Sequence, residues 1–327
     1  MTALFAAGDR RGTIQSVDRA ARILRVLGSS PRLGVTEISD RLGIAKATVH
    51  GLLRTLEQQE LVEQDADNGK YRLGAAMLQL GNSFLDNHEL RARSLMWAGS
   101  LATRVGEAVR VGVMNGETVL IVHHVFRPDN SVQILEVGAS IPWHACALGK
   151  AVVAFDPPSR RNALLGANLS PLTGRTQTDP SVLRTELEDV ATLGVAVEDQ
   201  EAVVGEAEIA SPVFDHRGDP AGAIGVVGPV ERLLPDGPSP ELIAAVREAG
   251  RGLSRDMGAG RFAARDYDHT KGISYWTKNY RTGIEDDDPD ALTRQYPYYD
   301  PIYTLPEEGQ RWWREEATNH TEESLPA

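Results

Sequence analysis

VTEISDRLGIAKATVHGLLRTLEQQELVEQDADNGKYRLG, residues 35–74, decides the fold of the N-terminal part of this chain. Thr36 is placed to cap a short helix whose buried side is Ile38 and Leu42, and Gly43 ends it. A longer helix is predicted from about Ala45 to Glu60. Val49, Leu52, Leu53 and Leu56 form its apolar stripe, while Lys46, His50 and Arg54 recur every four residues on a different face. Leu61–Asp65 and Lys70–Leu73 can each be a strand, with Asn68-Gly69 as the turn between them. Upstream, Ser16 is a good N-cap for a helix whose apolar side is Val17, Ala20, Ile23, Leu24 and Leu27. "GSSPRLG" (28–34) stops that helix. Helix, helix, turn, helix and hairpin make a winged helix-turn-helix over residues 16–74, with the third helix sized for a major groove. Residues 1–15 lack periodicity and are expected to be a flexible arm.

The formal charge of −12 over 327 residues speaks against nucleic acid only until its distribution is read. Residues 262–327 hold 14 acidic and seven basic side chains, whereas residues 1–75 hold 11 basic and nine acidic ones. Binding depends on the face presented to phosphate, not on the sum over the chain. Cys146 is the single cysteine, so no intrachain disulfide can form. Nothing resembles a signal peptide, and no run approaches the ~20 apolar residues of a membrane helix, so a cytoplasmic protein without a membrane partner is expected.

Residues 75–109 read as mostly helical. Met77, Leu78, Leu80, Phe84 and Leu85 share one apolar surface, which fits either packing on the chain's own domain or a linker and dimerisation helix over 75–92. Strand patterns then dominate. Residues 108–116 and 117–125 flank Asn115-Gly116, a second hairpin signal. Residues 131–138, 195–200, 205–215 and 219–229 read as further strands, and 146–155, 181–194 and 239–257 as helices. A largely antiparallel sheet with helices packed on it gives an α+β domain over 93–261, able to hold a small ligand. Residues 262–327 change character. They carry seven of the eight tyrosines, together with Trp276, Trp312 and Trp313. This acidic, aromatic-rich extension is left with three readings: packing on the preceding domain, binding a partner, or masking the basic DNA face.

No catalytic or metal constellation emerges, and no cofactor is expected. His123 and His124 are consecutive strand residues, so one should be internal and one external. Cys146 precedes an apolar helix and reads as a small packed residue. Gly149-Lys150 lacks the earlier glycine of a phosphate loop.

With both domains in order, the chain resembles the IclR family of bacterial transcription regulators. "SVDRAARILRVL", the opening stretch, "IPWHACALGKAVVAF" and "LGVAVEDQEAVVGEAEIASPVFDHRGDPAGAIGVVGP" carry the resemblance over residues 15–261. "HGLLRTL" and "EAVVGEAEIASPVF" look most like the actinobacterial glycerol-operon regulators. The resemblance implies a winged DNA-binding domain, a linker helix used in dimer formation and a GAF-like effector domain. It also implies a homodimer or homotetramer and a small-molecule effector: an organic acid, an aromatic acid or a polyol. Candidate operator contacts are Lys46, Thr48, His50 and Arg54 on the helix and Lys70 and Arg72 in the wing. The chain departs from many members at Ala47 and Gly51, where they carry Ser or Thr and then Arg. Gly51 costs about 1 kcal/mol relative to Ala inside a helix.

In members that bind small keto acids the site is lined by backbone ahead of the "GKA" helix, an acid, a cysteine and two serines. The matching positions are Ala147, Leu148, Glu198, Glu208, Gly225 and Val227, and Trp143 can line or cap the pocket. A carboxylate at Glu208 repels an anion unless protonated or paired. A ligand-responsive repressor of a catabolic operon, binding double-stranded DNA, is the expected function. The alternative is a metabolite sensor whose winged domain and tail bind a protein partner.

Overall fold

The computed structural model describes residues 14–129 and 133–259. The expectations for the N-terminal arm and for the acidic extension fall on residues outside these, apart from Ile14 and Gln15. The chain divides between Ala92 and Arg93 into two compact units.

The first unit opens with α1 (Gln15–Gly28), α2 (Val35–Leu42) and α3 (Lys46–Gln58). Strands β1 (Val62–Gln64) and β2 (Tyr71–Leu73) pair antiparallel, with Val62 opposite Leu73 and Gln64 opposite Tyr71. The expected caps are wrong in detail. Gln15 is the first residue of α1, so Ser16 lies inside the first turn. The N-cap of α2 is Gly34, whose N–H donates to the Glu37 carboxylate at 2.7 Å, so Glu37 and not Thr36 closes that end. Gly43 sits at φ +64°, a left-handed turn that a side chain would strain, and it sets α3 off from α2. One face of each helix then meets a shared core of Ile23, Leu27, Ile38, Val49, Leu53 and Leu56, closed by Val62 and Tyr71 of the wing. Leu33 exchanges both backbone hydrogen bonds with Tyr71 (3.0 and 2.8 Å), which fastens the hairpin to the helices. Next comes α4 (Ala75–Asp86), which buries no residue: Leu78 is 69% exposed, Leu80 59% and Phe84 50%.

Helix α5 (Glu89–Val105) leads into the second unit, whose six strands lie in the order β5-β4-β3-β8-β7-β6. They are β3 (Ala108–Asn115), β4 (Thr118–Val125), β5 (Ser140–Pro142), β6 (Ala196–Asp199), β7 (Glu206–Phe214) and β8 (Pro220–Pro229), all antiparallel. The helices are α6 (Ala147–Val153), α7 (Pro158–Leu165), α8 (Pro180–Leu193), the short α9 (Val230–Leu233) and α10 (Pro240–Asp256). Side chains alternate across the sheet, so Glu208 and Ala210 of β7 face α6 while Ser211 meets Gly250 of α10. Ser239 caps α10 by accepting from the Leu242 N–H at 3.1 Å. The Trp97 indole of α5 lies against Gly252 of α10 and donates to Asp256 at 2.6 Å.

Two expectations change here. The strand expected over 131–138 is absent among the described residues 133–138, and the strand on that edge is Ser140–Pro142. Gly138 turns at φ +90°, and only the backbone from about Gly138 reaches Ile121, so pairing begins late. His123 and His124 are both half-buried, so neither is fully internal or fully external. Helix α7 went unread because it buries only Leu164 and Leu165.

Gly74 is fixed by close approach: a Cβ there would sit 2.2 Å from the Glu60 carbonyl oxygen. Gly74→Ala is expected to destabilise the winged unit by about 1–3 kcal/mol, read as a lower urea midpoint. An unchanged midpoint would show that the α3–β1 corner yields freely.

Candidate DNA-binding and effector sites

Helix α3 separates its residues by function of facing. Val49, Leu53 and Leu56 are buried in the core, while Lys46, His50 and Arg54 are exposed on the other side and Thr48 is half-buried between them. The apolar spacing fixes the helix on the core and thereby turns the cations outward. In the wing, Lys70 lies 3.2 Å from Glu37, and Arg72 pairs across the hairpin with Glu63. These acidic partners were not anticipated, although the strand register that places Glu63 opposite Arg72 follows from the turn. The four side chains are 43–48% exposed, and such pairs contribute about 0–1 kcal/mol. A phosphate can therefore replace either carboxylate at little cost.

The residues matched to an effector site come together at the N-terminus of α6. Glu198 and Glu208 stand opposite each other on β6 and β7. Glu208 is 1% exposed, and its Oε2 accepts the Leu148 N–H at 3.2 Å. Arg110 of β3, itself buried, reaches Oε1 of Glu208 only at 3.6 Å and spends its hydrogen bonds on Glu136 and Glu206. Oε1 of Glu208 is buried with no hydrogen-bond donor among the described residues. Glu198 accepts backbone N–H groups of Glu201 and Ala202. Burial, with the Glu208 charge second, pushes Glu198 up to about 8. Burial also raises Glu208, against the opposing pull of Arg110.

Ala147, Leu148 and Trp143 are fully buried beside this cluster, and Val227 is opposite Glu208. Gly225 stands between Ala210 and Arg110, where a Cβ would come within 2.9 Å of the Ala210 Cβ. A serine at 225 needs β7 to move. Arg110 was missed by sequence reading; its signal was a lone cation in the apolar strand "AVRVGV". Lys150 was also missed. It is buried between Glu186 (2.9 Å) and Glu201, on the floor of a cleft of about 310 Å³ that Arg175, Gln177 and Asp199 also line. None of the residues matched to the effector site lines that cleft. Cys146 is buried and burial raises its thiol well above the ordinary range, which suits a packed residue and not a nucleophile. Among the described residues no group of three His, Cys, Asp or Glu is placed to hold a metal, and no helix is long and apolar enough to cross a membrane.

A winged unit with an outward basic helix, followed by an α/β unit with a polar cluster beneath a helix N-terminus, defines a DNA-binding transcription regulator with an effector domain. Residues 16–66 match the IclR helix-turn-helix domain and residues 82–255 the C-terminal domain of the bacterial transcriptional regulator IclR. The chain belongs to the IclR family and is a ligand-responsive, DNA-binding regulator of transcription. It is 51% identical over 251 residues to the glycerol operon regulatory protein of Streptomyces griseus, covering 76% of this chain and 98% of that one. Its counterpart in Streptomyces coelicolor is 50% identical over the same shares. The crystal structure of an IclR transcriptional regulator from Alicyclobacillus acidocaldarius matches with TM-score 0.66 at 25% identity, over 75% of this chain and 98% of that one. An IclR homologue from Microbacterium hydrocarbonoxydans, solved with 4-hydroxybenzoate, shares the fold at 22% identity, TM-score 0.63, over 74% of this chain and 99% of its own.

Glu198 holds its proton more tightly in the folded chain than at its ordinary value of 4.5. Its contribution to stability is therefore fully present below about pH 4.5 and is lost as pH rises through about 8. Urea unfolding between these limits should show stability falling with pH, and Glu198→Gln, which keeps an acceptor for both N–H groups, should flatten the fall. Equal slopes for the two proteins would count against a buried, protonated Glu198.

Proposed function

We propose that this regulator represses an operon for polyol catabolism and that a hydroxyl-bearing metabolite, glycerol being the first candidate, releases it. The observation that carries the effector class is Glu208. Its carboxylate already occupies the helix N–H at Leu148 where an effector's acid group would dock, and its second oxygen is buried without a donor. Arg110 offsets its charge from 3.6 Å without donating a hydrogen bond, and a ligand hydroxyl would supply that bond, a net gain of about 1 kcal/mol. An organic or aromatic acid would instead compete with the Glu208 carboxylate for the Leu148 N–H. Trp143, Ala147, Leu148, Glu198, Gly225 and Val227 enclose that position in this reading. The names of the two Streptomyces relatives agree with a polyol operon.

On the DNA side, Lys46, Thr48, His50 and Arg54 meet the major groove of a double-stranded operator, and Lys70 and Arg72 meet phosphates. The exposed Leu78, Leu80 and Phe84 of α4 supply the apolar face by which two copies pair, which puts two reading helices on a pseudo-palindrome. Domain limits at about 74, 92 and 261 follow from the same reading, as does a cytoplasmic location.

Calorimetry of the full chain against glycerol, glyoxylate and 4-hydroxybenzoate tests the effector class. Heat from glycerol alone is the expected result, with Glu208→Gln binding it about tenfold more weakly. Saturable binding of either acid with none of glycerol would sink the reading. A gel-shift titration tests the operator face: Arg54→Ala should lose at least about fivefold in affinity, or ~1 kcal/mol, with the fold intact. Affinity should also fall by roughly 0.9 log unit per log unit of salt for each phosphate contact. A response flat in salt would remove groove binding.

A further inference from the structure

Gly51 stands in the middle of α3, exposed, with ordinary helical backbone. A Cβ built there meets no atom within 4 Å. Neither a turn nor a close approach within the folded unit therefore asks for glycine, unlike Gly43 with its left-handed φ or Gly74 with the Glu60 carbonyl against it. Glycine is nonetheless among the least favourable residues for a helix interior. Residues 47, 50, 51 and 54 fall at i, i+3, i+4 and i+7, so Ala47, His50, Gly51 and Arg54 share one outward face, and all four are exposed. The two smallest side chains sit together at its centre, with the cations Lys46 and Arg54 toward its two ends. The Thr55 hydroxyl donates to the Gly51 carbonyl at 3.1 Å and ties the backbone at this point.

We propose that Gly51 is a specificity-determining residue for operator DNA: its missing side chain lets the backbone of α3 lie close against the base edges. The Ala47 methyl then has thymine methyl groups within reach, and Arg54 and Lys46 span to guanine edges or phosphates on either side. Any side chain at 51 holds the helix off by its own depth and weakens every base contact of that face together, while phosphate contacts through flexible lysine and arginine side chains are kept. The discrimination is by fit and not by a hydrogen bond from residue 51 itself. It rests on the reading of α3 as the groove helix given above.

The test uses the full chain and a duplex enriched from genomic DNA by the unmutated protein. Gly51→Ala should melt no lower than the parent, since alanine is the better helix former. It should bind the selected duplex at least tenfold more weakly while its affinity for random-sequence duplex stays within twofold. Gly51→Ser should behave in the same way. Gly99→Ala, the same exchange at another helical glycine with open space around it, should leave both affinities unchanged. Binding of the selected duplex by Gly51→Ala within twofold of the parent, while Arg54→Ala is weakened, would overturn the role of Gly51 and leave the groove helix standing. A loss shared equally by random duplex, or by Gly99→Ala, would also overturn it. Failure of the parent itself to select any duplex would remove the reading of α3 on which this inference rests.

Discussion

A charge that is buried has to be answered by its neighbours, and the effector unit is organised around one such charge on β7. This strand is buried on both faces from Ala207 to Phe214, with α6 over one and α10 over the other. Placing Glu208 in it would cost several kcal/mol without partners. The partners come from three elements far apart in sequence: the Leu148 N–H of α6, the Arg110 guanidinium of β3, and Glu198 of β6, whose proton affinity is raised by burial and by the Glu208 charge. The arrangement stops short of full satisfaction, because Oε1 of Glu208 has no hydrogen bond among the described residues. Glu107 Oε2, Asp156 Oδ2 and Glu186 Oε2 are buried acceptors in the same condition, and Glu208 differs in lying beneath α6 beside a second buried glutamate.

The winged unit follows a different economy. Its core is small and apolar, and it fixes where the helices point without itself touching a partner. The cations of α3 are outward because the apolar residues are inward. Those of the wing are held by exposed carboxylates that a phosphate can displace, so the free protein keeps its basic face covered by weak pairs. An overall charge of −12 is compatible with this, since short-range contacts within a Debye length decide binding. Helix α4 is left with apolar side chains in the open. The next helix, α5, is bound to α10 through Trp97 and Asp256 and through Arg104 and Glu248 at 2.6 Å.

Much of this was legible from local signals. Spacing of three and four gave the helices of the winged unit, Asn68-Gly69 the hairpin, and Asn115-Gly116 the β3–β4 turn, because these depend on neighbours in sequence. The cap of α2 was misread because Glu37, three residues after Gly34, reaches back to the Gly34 N–H, while α1 starts one residue before Ser16 with no side-chain cap. The strand expected at 131–138 had the right composition, but backbone pairing with β4 begins only at Gly138, where the chain turns.

By itself the sequence determined the order of parts, the winged motif, the α+β class of the second unit, and which side of α3 is polar; all rest on periodicity and turn chemistry within a few residues. Only the tertiary structure decided that Arg110, Glu136 and Glu206 join Glu208, that Lys150 lies buried between Glu186 and Glu201, and that Lys70 and Arg72 are already paired. It alone also showed that Gly225 has no room for a side chain while Gly51 has open space. The reason is physical: proximity of residues distant along the chain, and the free volume around one of them, are set by packing and leave no trace in local pattern.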